Sequence, residues 1–197
     1  MWTLPNLLSL FRILLVPFLA WLLASTDPLS CALAALVFII ASLTDMLDGY
    51  LARRNKSVSD FGKILDPLAD KLLVVTALIM LVAIDRPGDA YVPVWLVVII
   101  VAREVAVTVL RGIALSEGII IPADTVGKYK LLVQTFALVA LMIHYRYFGI
   151  DFFVGGMYFL VLSTVLALWS GVEYHVRFLR SLRVGSRLSG SSRRQGR

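Results

Sequence analysis

Six apolar runs, each long enough to cross a bilayer as a helix, constrain this chain more than any other feature. They lie at residues 7–24, 29–47, 67–84, 92–115, 126–147 and 152–178. Crossing a hydrocarbon core takes about 20 helical residues. Lipid offers the backbone no hydrogen bonds, so such runs must satisfy their own N–H and C=O groups, and a helix does so. The short connections between the runs predict a bundle of sequential neighbours. The expected fold is therefore all-α, a polytopic integral membrane protein of six transmembrane helices.

Composition agrees with this reading. The chain is 59% hydrophobic and 16% charged, which is not the balance of a soluble globular domain. Its net charge of +6 is confined to a few segments, so it reports orientation in a membrane and argues against a nucleic-acid partner. Arg53, Arg54, Lys56 and Lys63 lie between the second and third runs, and Lys128 and Lys130 open the fifth. Arg180, Arg183, Arg187, Arg193, Arg194 and Arg197 follow the sixth. The opposite connections hold Arg86 and Arg146 against Asp27, Asp85, Asp89 and Asp151. By the positive-inside rule both termini and residues 45–70 face the cytoplasm. The single cysteine, Cys31, excludes an internal disulfide and reads as a packing residue. The N-terminus lacks a basic region and a small-residue cleavage site, so it reads as a first helix rather than a signal peptide. His144 reads as an interfacial residue. Residues 181–197, rich in Ser, Gly and Arg, are expected to form a disordered basic cytoplasmic tail, with contact to anionic headgroups as the functional alternative. Residues 1–180 then form one membrane domain.

Within residues 45–70 the carboxylates are regularly spaced. Asp45 and Asp48 are three apart, and Asp66 and Asp70 are four apart. Each pair shares one face of a helix. Four carboxylates converging at a membrane boundary would repel one another, and hard divalent cations with oxygen ligands would remove the repulsion. Gly49 leaves the backbone open to close approach, and Ala52 keeps the same surface low. Arg53 is a charged fork suited to phosphate, and Ser59 could add a hydroxyl contact. A rival reading of the aspartates is a cation or proton pathway in a transporter, which does not require the glycine, alanine and arginine between the pairs.

The arrangement Asp45-x2-Asp48-Gly49-x2-Ala52-Arg53-x8-Gly62-x3-Asp66-x3-Asp70 resembles, without departure, the signature of the CDP-alcohol phosphatidyltransferases. The resemblance implies displacement at phosphorus, in which an alcohol attacks the diphosphate of a CDP-linked lipid and CMP leaves. It implies two divalent cations, Mg2+ or Mn2+, bridged by Asp45 and Asp66 and completed by Asp48 and Asp70. Two metals of this kind clamp attacking and leaving oxygens. Asp70 is also the implied general base. Gly49, Arg53, Ser59 and Asn6 are implied to bind CDP-diacylglycerol. Pro5-Asn6-x2-Ser9-x2-Arg12 is similar to the family's N-terminal segment, which lies along the cytoplasmic surface, so a short interfacial segment is expected before the first span. Arg12, inside an apolar run, must snorkel or find an anion there. A homodimer is implied as well.

The second half of the chain should then select the alcohol. Arg103, Arg111 and Lys128 are three cations on the cytoplasmic side, suited to a phosphate monoester. Arg103 precedes Glu104, and an internal ion pair is the competing reading for both. The runs A-R-E-V-A-V-T-V-L-R and G-K-Y-K, with Ser170-Gly171-Val172-Glu173-Tyr174, look like the bacterial branch of the family whose acceptor is sn-glycerol 3-phosphate. Leu131 departs from the threonine common at that position. This branch implies a bacterial inner-membrane location with a cytoplasmic site. Inositol phosphate and serine are the alternative acceptors, and the cations argue against serine alone.

Overall fold

The computed structural model describes residues 4–55, 60–83, 92–116, 125–147 and 149–192. Side chains at residues 4–5, 45–55, 60–67, 125–128, 147 and 182–192 lie outside that description. The fold is all-α apart from one short hairpin. Six helices run in order: α1 (Leu4–Leu23), α2 (Pro28–Asn55), α3 (Asp60–Ala83), α4 (Val94–Ser116), α5 (Thr125–Ile143) and α6 (Phe152–Ser192). Strands β1 (Arg146–Tyr147) and β2 (Ile150–Asp151) lie between α5 and α6.

Local chemistry sets several helix ends. Asp27 caps α2, its Oδ2 accepting from Leu29 N at 3.1 Å and Ser30 N at 3.2 Å. Pro28 follows at the first helical position, where its missing N–H costs nothing. Asp151 caps α6 by accepting from Val154 N at 3.2 Å. That hydrogen bond, chiefly, holds the Asp151 carboxyl below its ordinary pKa, with Arg146 adding to the effect.

The fifth helix stops at Ile143, four residues short of its expected end at 147. His144 takes a positive φ of 36°, which ends the helix, and the chain turns back. Arg146 then pairs with Asp151 and Tyr147 with Ile150, antiparallel, and Gly149 supplies a φ of 77° in the turn. His144 is buried within the bundle, its Nδ1 3.0 Å from Met142 O. The Tyr145 hydroxyl donates to Thr26 O, which ties this hairpin to the α1–α2 connection.

The N-terminus also differs from expectation. No break separates an interfacial segment from the first helix among the described residues, because α1 is continuous from Leu4. Asn6, Ser9 and Arg12 recur every three residues on it and are buried, Arg12 completely. At its other end α6 continues to Ser192, beyond the expected tail boundary at 181. The sequence there contains Leu182, Arg183 and Val184 before Gly185, and Arg187 and Leu188 before Gly190, residues compatible with helix.

α1 packs chiefly on α3 and α2, α5 on α6 and α2, and α4 on α6. α5 and α6 approach closely at Gly156, where a Cβ would lie 2.7 Å from Leu141 Cγ and 3.0 Å from Leu141 N. The apolar core occupies the end nearest the hairpin: Leu19, Leu23, Phe38, Leu78, Leu81, Leu96, Ile100, Leu138, Leu141, Met142 and Leu160. Several hydroxyls outside the core, buried or exposed, satisfy themselves. Ser42 bonds Phe38 O, Thr108 bonds Glu104 O, and Ser163 and Thr164 both bond Leu160 O within their own helices.

Among the described residues two helices are long and apolar enough to cross a membrane, Asn6–Leu23 and Phe152–Ser181. The apolar parts of α2 and α5, Pro28–Thr44 and Tyr129–Ile143, are shorter. Large apolar side chains face outward around the bundle, among them Trp21, Trp95, Phe136, Tyr158 and Trp169. That is a surface for lipid rather than for water.

Candidate active site

The polar groups gather at the end of the bundle away from the hairpin. α1 contributes Asn6, Ser9 and Arg12, α3 contributes Asp70 and Lys71, and α5 contributes Lys130 and Gln134. α4 brings Arg103 and Glu104, and α6 brings Ser170 and Tyr174. Antiparallel sequential helices put the start of each odd helix beside the end of each even one, so residues 45–55 of α2 belong to this end too.

A cavity of about 30 Å3 opens among Asp70, Lys71, Glu104, Lys130 and Gln134, with Val74, Val75 and Leu131 completing its wall. Its volume suits about one water molecule or one small polar group. A larger cavity, about 420 Å3, lies near the hairpin end and is lined by Pro28, Ala32, Ala35, Leu36, Ile39, Ile143 and Phe152. That lining offers nothing to bind an anion or a cation, so the smaller cavity is the site candidate.

Around it Arg103 makes three bonds. Its Nε donates to Ala167 O at 2.9 Å, its Nη1 to Glu104 Oε1 at 2.9 Å, and its Nη2 to Ser170 Oγ at 3.1 Å. Glu104 Oε1 also accepts from Lys130 Nζ. One carboxylate oxygen therefore links two cations and two helices, while Arg103 joins both to α6. Breaking a buried pair of this kind by removing one partner costs about 3–5 kcal/mol. Both readings of Arg103 from sequence meet here: it is an internal ion pair, and it stands beside the cavity. Gly171 lies against it, an added Cβ meeting Arg103 Cγ and Nε at 3.5 Å, an ordinary contact.

Arg111 is exposed, and its guanidinium carbon lies 5.8 Å from the centre of the Tyr174 ring. A cation over an aromatic face gains about 0.5–1 kcal/mol at such a site and keeps its N–H groups available. Arg103 and Arg111 thus lean on successive turns of α6, in the same order along both helices.

Several expected site residues fall outside the described side chains. Asp45, Asp48, Gly49 and Arg53 lie on the final turns of α2, Asp66 on the first turns of α3 and Lys128 on the first turn of α5, by backbone only. Ser59 lies outside the described residues altogether. Of the expected set, the cavity brings Asp70 beside the neighbours of Arg103, and Asn6 is buried on α1. The donor chemistry at 45, 48, 66 and 70 is four carboxylates at one helix spacing or another, which suits hard divalent cations.

Sequence reasoning missed Lys71, Lys130, Gln134 and Ser170. Lys130 was visible in principle. It begins a stripe with Gln134, Leu138 and Leu141 at spacings of four, four and three, all of them buried.

A family model described as CDP-alcohol phosphatidyltransferase matches residues 2–170. Three bacterial relatives carry the name CDP-diacylglycerol–glycerol-3-phosphate 3-phosphatidyltransferase. That of Bacillus subtilis is 38% identical, covering 94% of this chain and 100% of its own. That of Rickettsia typhi is 36% identical over 87% of this chain and 94% of its own. That of Haemophilus influenzae is 33% identical over 86% of this chain and 90% of its own.

Proposed function

The chain belongs to the CDP-alcohol phosphatidyltransferase family, and on that premise we propose that it transfers the phosphatidyl group of CDP-diacylglycerol to sn-glycerol 3-phosphate. The products are phosphatidylglycerophosphate and CMP. The observation that carries this reading is the cavity in which Asp70 meets Lys71, Glu104 and Lys130. A carboxylate able to accept a proton stands there beside cations able to hold a phosphomonoester.

In the proposed reaction the acceptor hydroxyl attacks the phosphorus that carries the diacylglycerol. A new P–O bond forms, the bond to CMP breaks, and Asp70 takes the hydroxyl proton. Arg111 and Lys128 bind the acceptor phosphate, with Arg103 beside them. Asn6, Gly49, Arg53 and Ser59 hold the nucleotide end of the donor, and Arg12 supports that end from α1. Asp45, Asp48, Asp66 and Asp70 would hold two divalent cations, Mg2+ or Mn2+, which when bound neutralise charge on the diphosphate.

The same reading makes all six helices membrane spans, with the site on the cytoplasmic face of a bacterial inner membrane. The helices that fall short of a full apolar window include α3 and α4, which carry Asp70, Lys71, Arg103, Glu104 and Arg111. Charges at a site are a reason for a span to score as less apolar. The tail at 181–197 lies on the cytoplasmic side, where its arginines meet anionic headgroups. The expected assembly is a homodimer.

Purified protein with CDP-diacylglycerol, Mg2+ or Mn2+ and a panel of alcohols tests the reading by release of CMP. Metal-dependent release with sn-glycerol 3-phosphate, and little with serine or plain glycerol, is the expected result. Release driven by inositol phosphate instead would move the chain to another acceptor. Cation transport without CMP release would remove the enzyme reading.

A further inference from the structure

We propose that Glu104 is a positioning residue for the acceptor phosphomonoester: its one oxygen holds both Arg103 and Lys130 and so fixes the Lys130 ammonium at the wall of the cavity shared with Asp70. The proposal rests on the acceptor reading above and deepens it.

An anion beside a site for an anion weakens attraction. A pocket built for attraction alone would leave Glu104 out, so its contribution lies in geometry. Lysine is a point charge on a flexible stem and loses its aim easily. Here the stem is buried and the ammonium has a carboxylate partner on the neighbouring helix. The carboxylate is aimed in turn by Arg103, and Arg103 is fixed by Ala167 O and Ser170 Oγ. Orientation therefore passes from α6 through Arg103 and Glu104 to Lys130. Gln134, one turn beyond Lys130 on the same stripe, and Lys71 complete the polar wall. No other carboxylate besides Asp70 and Glu104 lines the cavity among the described residues. Removal of Glu104 would leave two cations facing each other across it.

The test is steady-state kinetics on the full chain in detergent, with CDP-diacylglycerol and a divalent metal, varying each substrate in turn. For Glu104→Gln the expected result is a KM for glycerol 3-phosphate raised about 10- to 100-fold, and a KM for CDP-diacylglycerol within about twofold of wild type. A purely structural role would lower kcat through the fraction of active protein and leave both KM values alone, which overturns the proposal. A lower KM for glycerol 3-phosphate also overturns it, since Glu104 would then act only as a repelling charge. Should Glu104→Gln fail to fold, Lys130→Gln and the double variant decide, because the double variant keeps the net charge of the wild type. An acceptor KM raised about 10- to 100-fold in Lys130→Gln, with no further rise in the double variant, supports the proposal, as Glu104 acts through Lys130, and an acceptor KM unchanged in Lys130→Gln overturns it. A much higher acceptor KM in the double variant overturns it. Wild-type protein that ignores glycerol 3-phosphate removes the acceptor reading itself, and that result is read from the wild type alone.

Discussion

Around Leu81, Leu96 and Leu141 the helices meet through apolar side chains, whereas around Glu104 they meet through Arg103, Lys130 and Ser170. Most helices divide at about the same level. α1 passes from Asn6, Ser9 and Arg12 to Leu19 and Leu23, and α5 from Lys130 and Gln134 to Leu138 and Met142. α4 and α6 divide in the opposite chain direction, as their antiparallel placement requires. At the apolar end many side chains of similar size would serve, because packing depends on volume more than on identity. At the polar end each group needs a particular partner at a particular distance. One end can therefore carry stability while the other carries a cluster of charges whose arrangement suits chemistry more than packing.

The contrast can be broken first at the aspartates, where the largest effect is expected. Asp45→Ala or Asp66→Ala should leave the thermal unfolding of the detergent-solubilised protein close to wild type and abolish CMP release. Residual activity above about one per cent would show that neither residue holds both cations, since such clamps contribute several kcal/mol. The opposite pattern is expected at Gly156. An added methyl group must displace Leu141, backbone included, so Gly156→Ala should cost about 1–3 kcal/mol of stability. Activity per folded molecule should stay unchanged. If the variant instead shifted the KM for either substrate, the two ends would be coupled and the division above would fail.

The smallest effect belongs to the hairpin. Asp151 is held below its ordinary pKa in the folded protein, so its contribution to stability is full above the ordinary carboxylate value and is lost as pH falls through the folded value. Asp151→Asn should remove that dependence. Wild type and variant should differ slightly in unfolding temperature at neutral pH and converge in acid. A difference that persists in acid would assign the cap's effect to shape rather than charge.

Apolar runs report helices directly, so α1 to α6 needed no tertiary knowledge. Of the four aspartates, Asp70 is the one whose side chain the structure describes, and it stands at the cavity. The partners of Arg103 were not legible. Ala167 and Ser170 stand 64 and 67 residues away, and nothing local in either segment says which faces will meet. Lys130 was passed over because Lys128 is the lysine that follows the glycine of the motif, although the stripe through Gln134 and Leu138 turns Lys130 inward; the side chain of Lys128 lies outside the described residues. The end of α5 was missed because His144, Tyr145, Arg146 and Tyr147 include no glycine or proline to mark a stop, and the positive backbone angle at His144 ends the helix.

The serine and threonine hydroxyls have a bearing on how such a chain is assembled. Ser42, Thr108, Ser163 and Thr164 each bond a carbonyl of their own helix, so their polar needs are met before any neighbour arrives. Lys130 has no such provision, since its carboxylate partner sits on another helix. α4 stands between these cases, because Arg103 and Glu104 are adjacent and can neutralise each other from the moment that helix forms. These hydroxyls are satisfied within single helices, whereas the charged junction is complete only with α4, α5 and α6 together.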